Sequence, residues 1–357
     1  MSRKDGDSPK TAVIAFTGRG MRLAGRIGEF LKSRGEECTV YIKSRHVQAP
    51  ADGSVHLVEQ SLGEWADRVI PRMDAVIFVG AAGIAVRTMA PFVKSKRTDP
   101  AVLVLDEAGS FCISLLSGHL GGANALALRV SDAVGARPVI TTATDVNGKL
   151  AVDVFAAKNH LWIADMGLAK EVSARILEGC RLKIRAGAGF RGSLAGMLPQ
   201  ELEEASGGES FCDLQILLPE GEILHLVPRN VTVGIGCRRG VPGETVERQV
   251  KKALLRAGIF PQAVCRAASI DLKKEEQGIL DFCGKWGIPF VTYPAKELKN
   301  VPGSFTPSAF VKGVTGVDNV CERSAVLGSG TGRLLAKKYG EEGVTVACAV
   351  EDWSVEF

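Results

Sequence analysis

No run in this sequence approaches the roughly 20 consecutive apolar residues that a membrane-spanning helix requires, and its first ten residues, Met1 to Lys10, carry no apolar signal core. Neither membrane insertion nor secretion is therefore expected, and the chain reads as cytoplasmic. No CxxC pair occurs, and the nine cysteines stand singly. An odd, scattered set argues against a disulfide framework and fits a reducing compartment. His/Cys clusters with metal-ligand spacing are missing too, and the five histidines are dispersed, so no protein-held metal is expected. Excess charge is slight: 44 Lys and Arg against 40 Asp and Glu leave +4. With no long basic run and no aromatic-interleaved basic stripe, nucleic acid is not an expected partner. Aromatics make up only 6%, against 41 glycines, which favours many tight strand-to-helix turns over an aromatic interior.

At 357 residues, 46% hydrophobic and 24% charged, the chain has the balance of a globular protein of two or three domains. Residues 11–17 (TAVIAFT) form an apolar run, followed by Gly18-Arg19-Gly20, an amphipathic stretch from Met21 to Ser33, and a second strand at Cys38–Lys43. The rhythm recurs with a helix at Ser61–Ile70, a strand at Ala75–Val79 and a helix through Met89. A strand at Ala101–Asp106, a helix at Gly121–Val134 and a strand at Pro138–Thr142 complete it. Short apolar strands alternating with helices predict a parallel sheet covered on both faces. The rhythm breaks between 149 and 229, where helices at Ala151–Trp162 and Leu168–Leu177 precede strands at Phe211–Leu218 and Ile223–Val227. It restarts at Val231–Gly236 and continues through a helix at Glu244–Ala257, a strand at Ala263–Ser269, a helix at Lys273–Trp286 and a strand at Pro289–Thr292. Val320–Leu327 and Arg333–Tyr339 read as short helices, and Val344–Val350 as the last strand. The prediction is an α/β chain of two doubly wound, mainly parallel-sheet domains, 11–148 and 230–357. A smaller α+β middle segment, 149–229, joins them behind a flexible N-terminus, 1–10.

Ligands of open parallel sheets bind outside the carboxyl ends of strands. That rule selects Gly80–Gly83 (GAAG), Asp106–Gly109 (DEAG), Ser117–Asn124 (SGHLGGAN), Thr141–Asp145 (TTATD) and Gly234–Gly240 (GIGCRRG). His119, among small residues before a helix, reads as a general base or as a loop histidine bonded to its own turn. Asp106 and Glu107 read as cleft carboxylates, or as a turn carboxylate and its solvated neighbour. The hydroxyls and acid of TTATD suit a polar ligand, and equally an ordinary cap. GIGCRRG lacks both the P-loop and the GxGxxG spacing, which disfavours a nucleotide-binding enzyme. Cys237 beside two arginines could carry a lowered thiol pKa or be an inert turn residue, whereas Arg238 and Arg239 suit carboxylates. Ser269, Asp271 and Lys273 close another strand, with Asp271 alternatively a helix cap. Arg87 and Lys94 line the first cleft or lie on solvated faces. No GxSxG elbow is present, so a serine-hydrolase mechanism is disfavoured.

The run from Gly80 to Asp145 closely resembles the N-terminal module of the cobalt-precorrin-5A hydrolase family of anaerobic cobalamin biosynthesis. The segment VTVGIGCRRGVPGETVERQVKKALLRAGI, then ASIDLKKEEQGILDFCGKWGIPFVTY, resembles that family's C-terminal module. The resemblance extends over nearly the whole chain from Thr11. It implies opening of the δ-lactone of cobalt-precorrin-5A with release of acetaldehyde, giving cobalt-precorrin-5B. Cobalt arrives with the substrate, so no cofactor is implied, and neighbouring pathway methyltransferases are possible partners. On this basis the expected catalytic residues are His119 as base, Asp106 or Glu107 assisting it, and Asp145 as second choice, with backbone N–H groups of Gly121 and Gly122 as oxyanion donors. The expected substrate contacts are Arg87, Asn124, Thr141, Thr142, Cys237, Arg238, Arg239, Ser269, Asp271 and Lys273. The alternative is a non-catalytic corrinoid carrier or scaffold of the same pathway.

Overall fold

The computed structural model describes residues 8–95, 98–119, 121–207 and 211–357; the flexible N-terminus expected over 1–10 lies mostly outside them, as does Leu120 of SGHLGGAN. By its internal contacts the chain divides into two compact units, Met1–Lys149 and Leu150–Phe357.

The first unit runs β1 (Lys10–Ala15), α1 (Gly18–Ser33), β2 (Glu37–Ile42), β3 (Val55–Leu57), α2 (Leu62–Val69), β4 (Ala75–Val79), α3 (Ala82–Met89) and β5 (Ala101–Leu105). It continues with β6 (Phe111–Leu116), α4 (Ala123–Val134), β7 (Arg137–Val139) and α5 (Ala143–Val146). Its seven strands lie in the order β3-β2-β1-β4-β5-β6-β7. Alternation along β1 sends Val13 and Ala15 to one face, against Leu23, Ala24, Ile27 and Leu31 of α1. Ala12 and Ile14 go to the other, where Trp65 and Phe78 are buried. Each such large side chain contributes roughly 1.5–3 kcal/mol by leaving water. Strands β1 to β5 are mutually parallel, but β6 pairs antiparallel to β5 and β7 follows β6 in parallel. Sequence reading passes over β6 because Ser114 interrupts its apolar run, and the reversal it introduces decides where the polar loops go.

In the second unit, α6 (Val152–Lys158), β8 (Trp162–Ile163), α7 (Met166–Leu177), β9 (Leu182–Ala186), β10 (Leu202–Glu204), β11 (Leu214–Leu217) and β12 (Ile223–Val227) build a five-stranded sheet. Its order is β10-β9-β11-β12-β8, antiparallel except for β10 beside β9. The tail of the chain completes its core. Trp353 donates from Nε1 to the Ala188 carbonyl at 2.9 Å, and Phe357 stacks on Phe155 at 4.6 Å.

The rest of the unit is β13 (Val231–Cys237), α8 (Gly243–Arg256), β14 (Val264–Ile270), α9 (Gln277–Trp286), β15 (Phe290–Tyr293), α10 (Ala295–Asn300), α11 (Ala309–Thr315), α12 (Cys321–Ser329), β16 (Leu334–Glu341) and β17 (Val344–Val350). The sheet order is β15-β14-β13-β17-β16, with β13, β14 and β15 parallel and β17 antiparallel to both its neighbours. Arg333–Tyr339, expected as a helix, belongs instead to β16. Register shifts at Leu334/Ala336 and Ala336/Tyr339 break the strand's alternation and mimic a helical spacing. The two-residue turn Glu342–Gly343, both at positive φ, closes a hairpin there. Among the described residues no helix is long and apolar enough to cross a membrane.

Candidate functional site

Because β6 and β7 run against the rest of their sheet, the loops that follow them emerge at the opposite end from the loops after β1, β4 and β5. The segment after β6 turns at Ser117, a non-glycine residue at φ +59, whose hydroxyl donates to the Asp99 carbonyl at 3.2 Å. The chain then folds tightly enough that a side chain on Gly118 would lie 2.8 Å from Asn124 Oδ1, and one on Gly121 2.3 Å from Ser117 Cβ. These glycines are thus explained by close packing within the loop. The Gly122 N–H, expected at an oxyanion, donates instead to the His119 carbonyl at 2.8 Å.

Into this end of the sheet the loop after β7 brings α5, and six polar side chains converge. His119 Nε2 lies 2.9 Å from Asp145 Oδ2 and 3.0 Å from Thr144 Oγ1. Asn124 Nδ2 donates to the same Asp145 oxygen at 3.0 Å and to Thr142 Oγ1 at 3.1 Å, while its own Oδ1 accepts from Ser114 Oγ at 2.7 Å. Asn124 and Thr144 are buried, and the side chains of His119 and Asp145 are 18% and 40% exposed. The arrangement is therefore a fixed polar base under a partly open imidazole–carboxylate pair. A carboxylate at Nε2 favours the tautomer protonated there, which makes Nδ1 the basic nitrogen. An oriented imidazole of this kind can take and return a proton. Thr141 is exposed one residue before Thr142.

Of the residues expected to act together, the structure joins His119, Asn124, Thr142 and Asp145. It separates Asp106 and Glu107 from them, since both lie where β5 ends. Asp106 accepts from the Ala108 and Phe111 N–H groups at 2.9 and 2.8 Å and so shapes the β5–β6 turn. Burial raises its pKa, but hydrogen bonds from Phe111, Ser110 and Ala108 outweigh that and hold it below the ordinary value. Glu107 accepts from Thr17 Oγ1 at 2.6 Å, the hydroxyl that also caps α1. Arg87 lines a separate groove of ≈ 510 Å³ with Phe16, Lys43 and Asp67.

In the second unit, Ser269 is fully buried and donates to the Ile235 carbonyl at 2.6 Å, tying β14 to β13, which leaves no surface for a substrate. Asp271 Oδ1 accepts from the adjacent Leu272 N–H at 2.8 Å, while Ile270 and Glu276 hold the cap positions of the turn and helix that follow. Lys273 pairs with Glu276 at 2.7 Å, and Glu276 also accepts from the Gly240 N–H at 2.6 Å, which pins the loop after β13. Burial pushes the Cys237 thiol up to about 11, which favours the inert turn residue over the lowered thiol. Arg238 and Arg239 are exposed on that loop. The sequence reading passes over Ser114, hidden inside a strand, and leaves Thr144 open between ligand contact and cap; the density of hydroxyls in TTATD is the available signal. Among the described residues no group of three or more His, Cys, Asp or Glu is placed to hold a metal.

Residues 64–145 match the family described as Cobalamin synthesis G N-terminal, and residues 231–349 match Cobalamin synthesis G C-terminus. The chain is 38% identical over 353 residues to the cobalt-precorrin-5A hydrolase of Salmonella typhimurium, covering 95% of this chain and 97% of that protein. It is 29% identical over 359 residues to the protein of the same name in Priestia megaterium, covering 94% of each.

Proposed function

The chain belongs to the cobalt-precorrin-5A hydrolase family, and from that premise we propose that it opens the δ-lactone of cobalt-precorrin-5A and releases acetaldehyde, with His119 as the proton-transferring group. The observation that carries the assignment is the 2.9 Å contact between His119 Nε2 and Asp145 Oδ2, shared by the Thr144 hydroxyl. In lactone hydrolysis a water adds its oxygen to the acyl carbon and its proton leaves to a base. The ring alkoxide then collects a proton as the acyl–oxygen bond breaks. His119 serves both transfers, while Asp145 orients the ring through Nε2 and stabilises the imidazolium between them. In the second stage the freed hydroxyl loses its proton to the same base. The carbonyl of acetaldehyde forms, and the electrons of the breaking carbon–carbon bond remain with the macrocycle.

Cobalt takes part as cargo of the substrate, and the chain's own work is acid–base and positional. Arg238 and Arg239, exposed and without an ion pair among the described residues, suit the carboxylate arms of such a substrate. Anaerobic incubation with cobalt-precorrin-5A tests the reading. Wild-type protein is expected to release acetaldehyde and His119→Ala to bind the substrate without releasing it. Equal release from both removes His119 from the chemistry, and tight binding without release by the wild type makes the protein a carrier.

A further inference from the structure

The second unit contains a groove of ≈ 840 Å³ whose walls include Gly187, Phe190, Glu204, Gly207 and Arg333. It lies at the β9–β10 side of the middle sheet, a region that sequence reading left without a role. Arg333 is exposed, and among the described residues its guanidinium takes no ion pair. A second guanidinium stands behind Gly207 of that wall. Arg185 Nη1 stands 3.9 Å from the position a Cβ on Gly207 would occupy, and its planar group lies over the Phe211 ring at 5.0 Å.

Arg185 is held there by a chain of hydrogen bonds across three strands. Its Nε donates to Gln215 Oε1 at 3.0 Å, Gln215 Nε2 donates to Asp213 Oδ1 at 3.2 Å, and Asp213 Oδ2 contacts His225 Nδ1 at 2.6 Å. The cross-strand register explains the alignment, because Gln215 sits directly opposite Arg185 on β9 and directly opposite His225 on β12. Asp213 and Gln215 are buried, at 3% and 4% exposure. Burying a carboxylate and an amide is costly unless each finds partners. Here the partners form one chain whose outer end is a guanidinium with Nε engaged and Nη1 beside Gly207 of the groove wall. A surface arginine needs no such support, and support of this kind lowers the entropy lost when a ligand is gripped.

We propose that this groove binds carboxylate side arms of the tetrapyrrole substrate, with Arg185 and Arg333 as the two anchors and Gln215, Asp213 and His225 as positioning residues for Arg185. The ligand class rests on the proposed function; the site does not. Two guanidiniums select planar, doubly accepting anions, and a groove of this size takes part of a macrocycle's rim. Glu204 at the same wall repels a carboxylate set close to it, so the arms are held on the arginine side.

The test is calorimetric titration of the full-length protein with cobyrinic acid, a cobalt corrinoid with seven free carboxylates, and with its heptamethyl ester. The acid is expected to bind at least about tenfold more tightly than the ester, and Arg185→Ala and Arg333→Ala each to weaken the acid about tenfold or more. Gln215→Ala is expected to give a smaller loss, and Glu204→Gln a gain. Arg333 and Glu204 are exposed, so their variants report on the groove even if Arg185→Ala disturbs folding, which thermal unfolding checks. Unchanged acid affinity in a folded Arg333→Ala variant, or equal affinity for acid and ester, overturns the proposal. Acetaldehyde release is scored separately. Turnover lost only in His119→Ala, with acid binding indifferent to Arg185 and Arg333, leaves the hydrolase and removes the groove. Arginine-dependent binding without any turnover does the reverse.

Discussion

The two ends of the first unit's sheet carry similar residue types and hold them very differently. Where β1, β4 and β5 end, Asp106 and Glu107 are bound to nearby N–H and hydroxyl groups, each satisfied by a turn or a helix cap. Where β6 and β7 end, Asp145 is shared between an imidazole and an amide, and the imidazole remains partly open. The first arrangement fixes backbone, the second fixes a titratable side chain. Both sets of loops follow carboxyl strand ends, where ligands of such sheets gather, but the reversed pair β6 and β7 sends its loops to the opposite side, so residues near in sequence part company.

The strongest way to break this comparison is to exchange its members. His119→Ala is expected to lower kcat for acetaldehyde release by about 10²–10⁴ with KM little changed, and Glu107→Gln to leave kcat at the wild-type level. Equal losses in steady-state assays would erase the distinction between the ends. Removing the supports sharpens it. Asp145→Asn keeps the shape but no longer favours the Nε2-protonated imidazole, and is expected to cost about 10² or more in kcat. Asn124→Ala, which lets Asp145 shift, is expected to cost about tenfold.

Stability measurements probe the loop itself. Gly121→Ala would place its new carbon 2.3 Å from Ser117 Cβ and is expected to lower the unfolding free energy by about 1–3 kcal/mol in urea titration. The smallest effect belongs to the structural end. The Asp106 carboxyl is depressed in the folded state despite burial, so its stabilisation is present above the unfolded value of about 3.9 and is lost as pH falls through the folded value. The urea midpoint of the wild type should therefore exceed that of Asp106→Asn near neutrality and converge on it in acid. A constant difference across that range would show that Asp106 acts by shape alone.

Much of this was legible before any coordinates. The strand–turn–helix periodicity located β1, β2, β4 and β5, because fully buried parallel strands read as plain apolar runs. His119, Asn124, Thr142 and Asp145 could be singled out because small and hydroxylic residues cluster where backbone must turn tightly. Strand direction was not legible. Phe111–Leu116 has no local mark of running backwards, and its pairing with β5 is a long-range contact that only the folded sheet expresses. For the same reason Asp106 and Glu107 looked like partners of His119. Ser269 misled because a hydroxyl at a strand end reads alike whether it faces a cleft or a neighbouring carbonyl. The Arg185–Gln215–His225 row was invisible, since its register joins residues from three separate strands.

The tail that completes the middle sheet has a consequence for the order of biosynthesis. Asn159 Oδ1 accepts from the Glu356 N–H at 2.7 Å across 197 residues of sequence, and Phe155 waits for Phe357. At about 5–20 residues per second, the ribosome delivers those tail residues roughly 10–40 s after the helix they cover. During that interval β9, β11 and β12 can pair while one side of their apolar layer stays wet. The middle sheet thus stands in the middle of the sequence, and its core closes only when the last residues arrive.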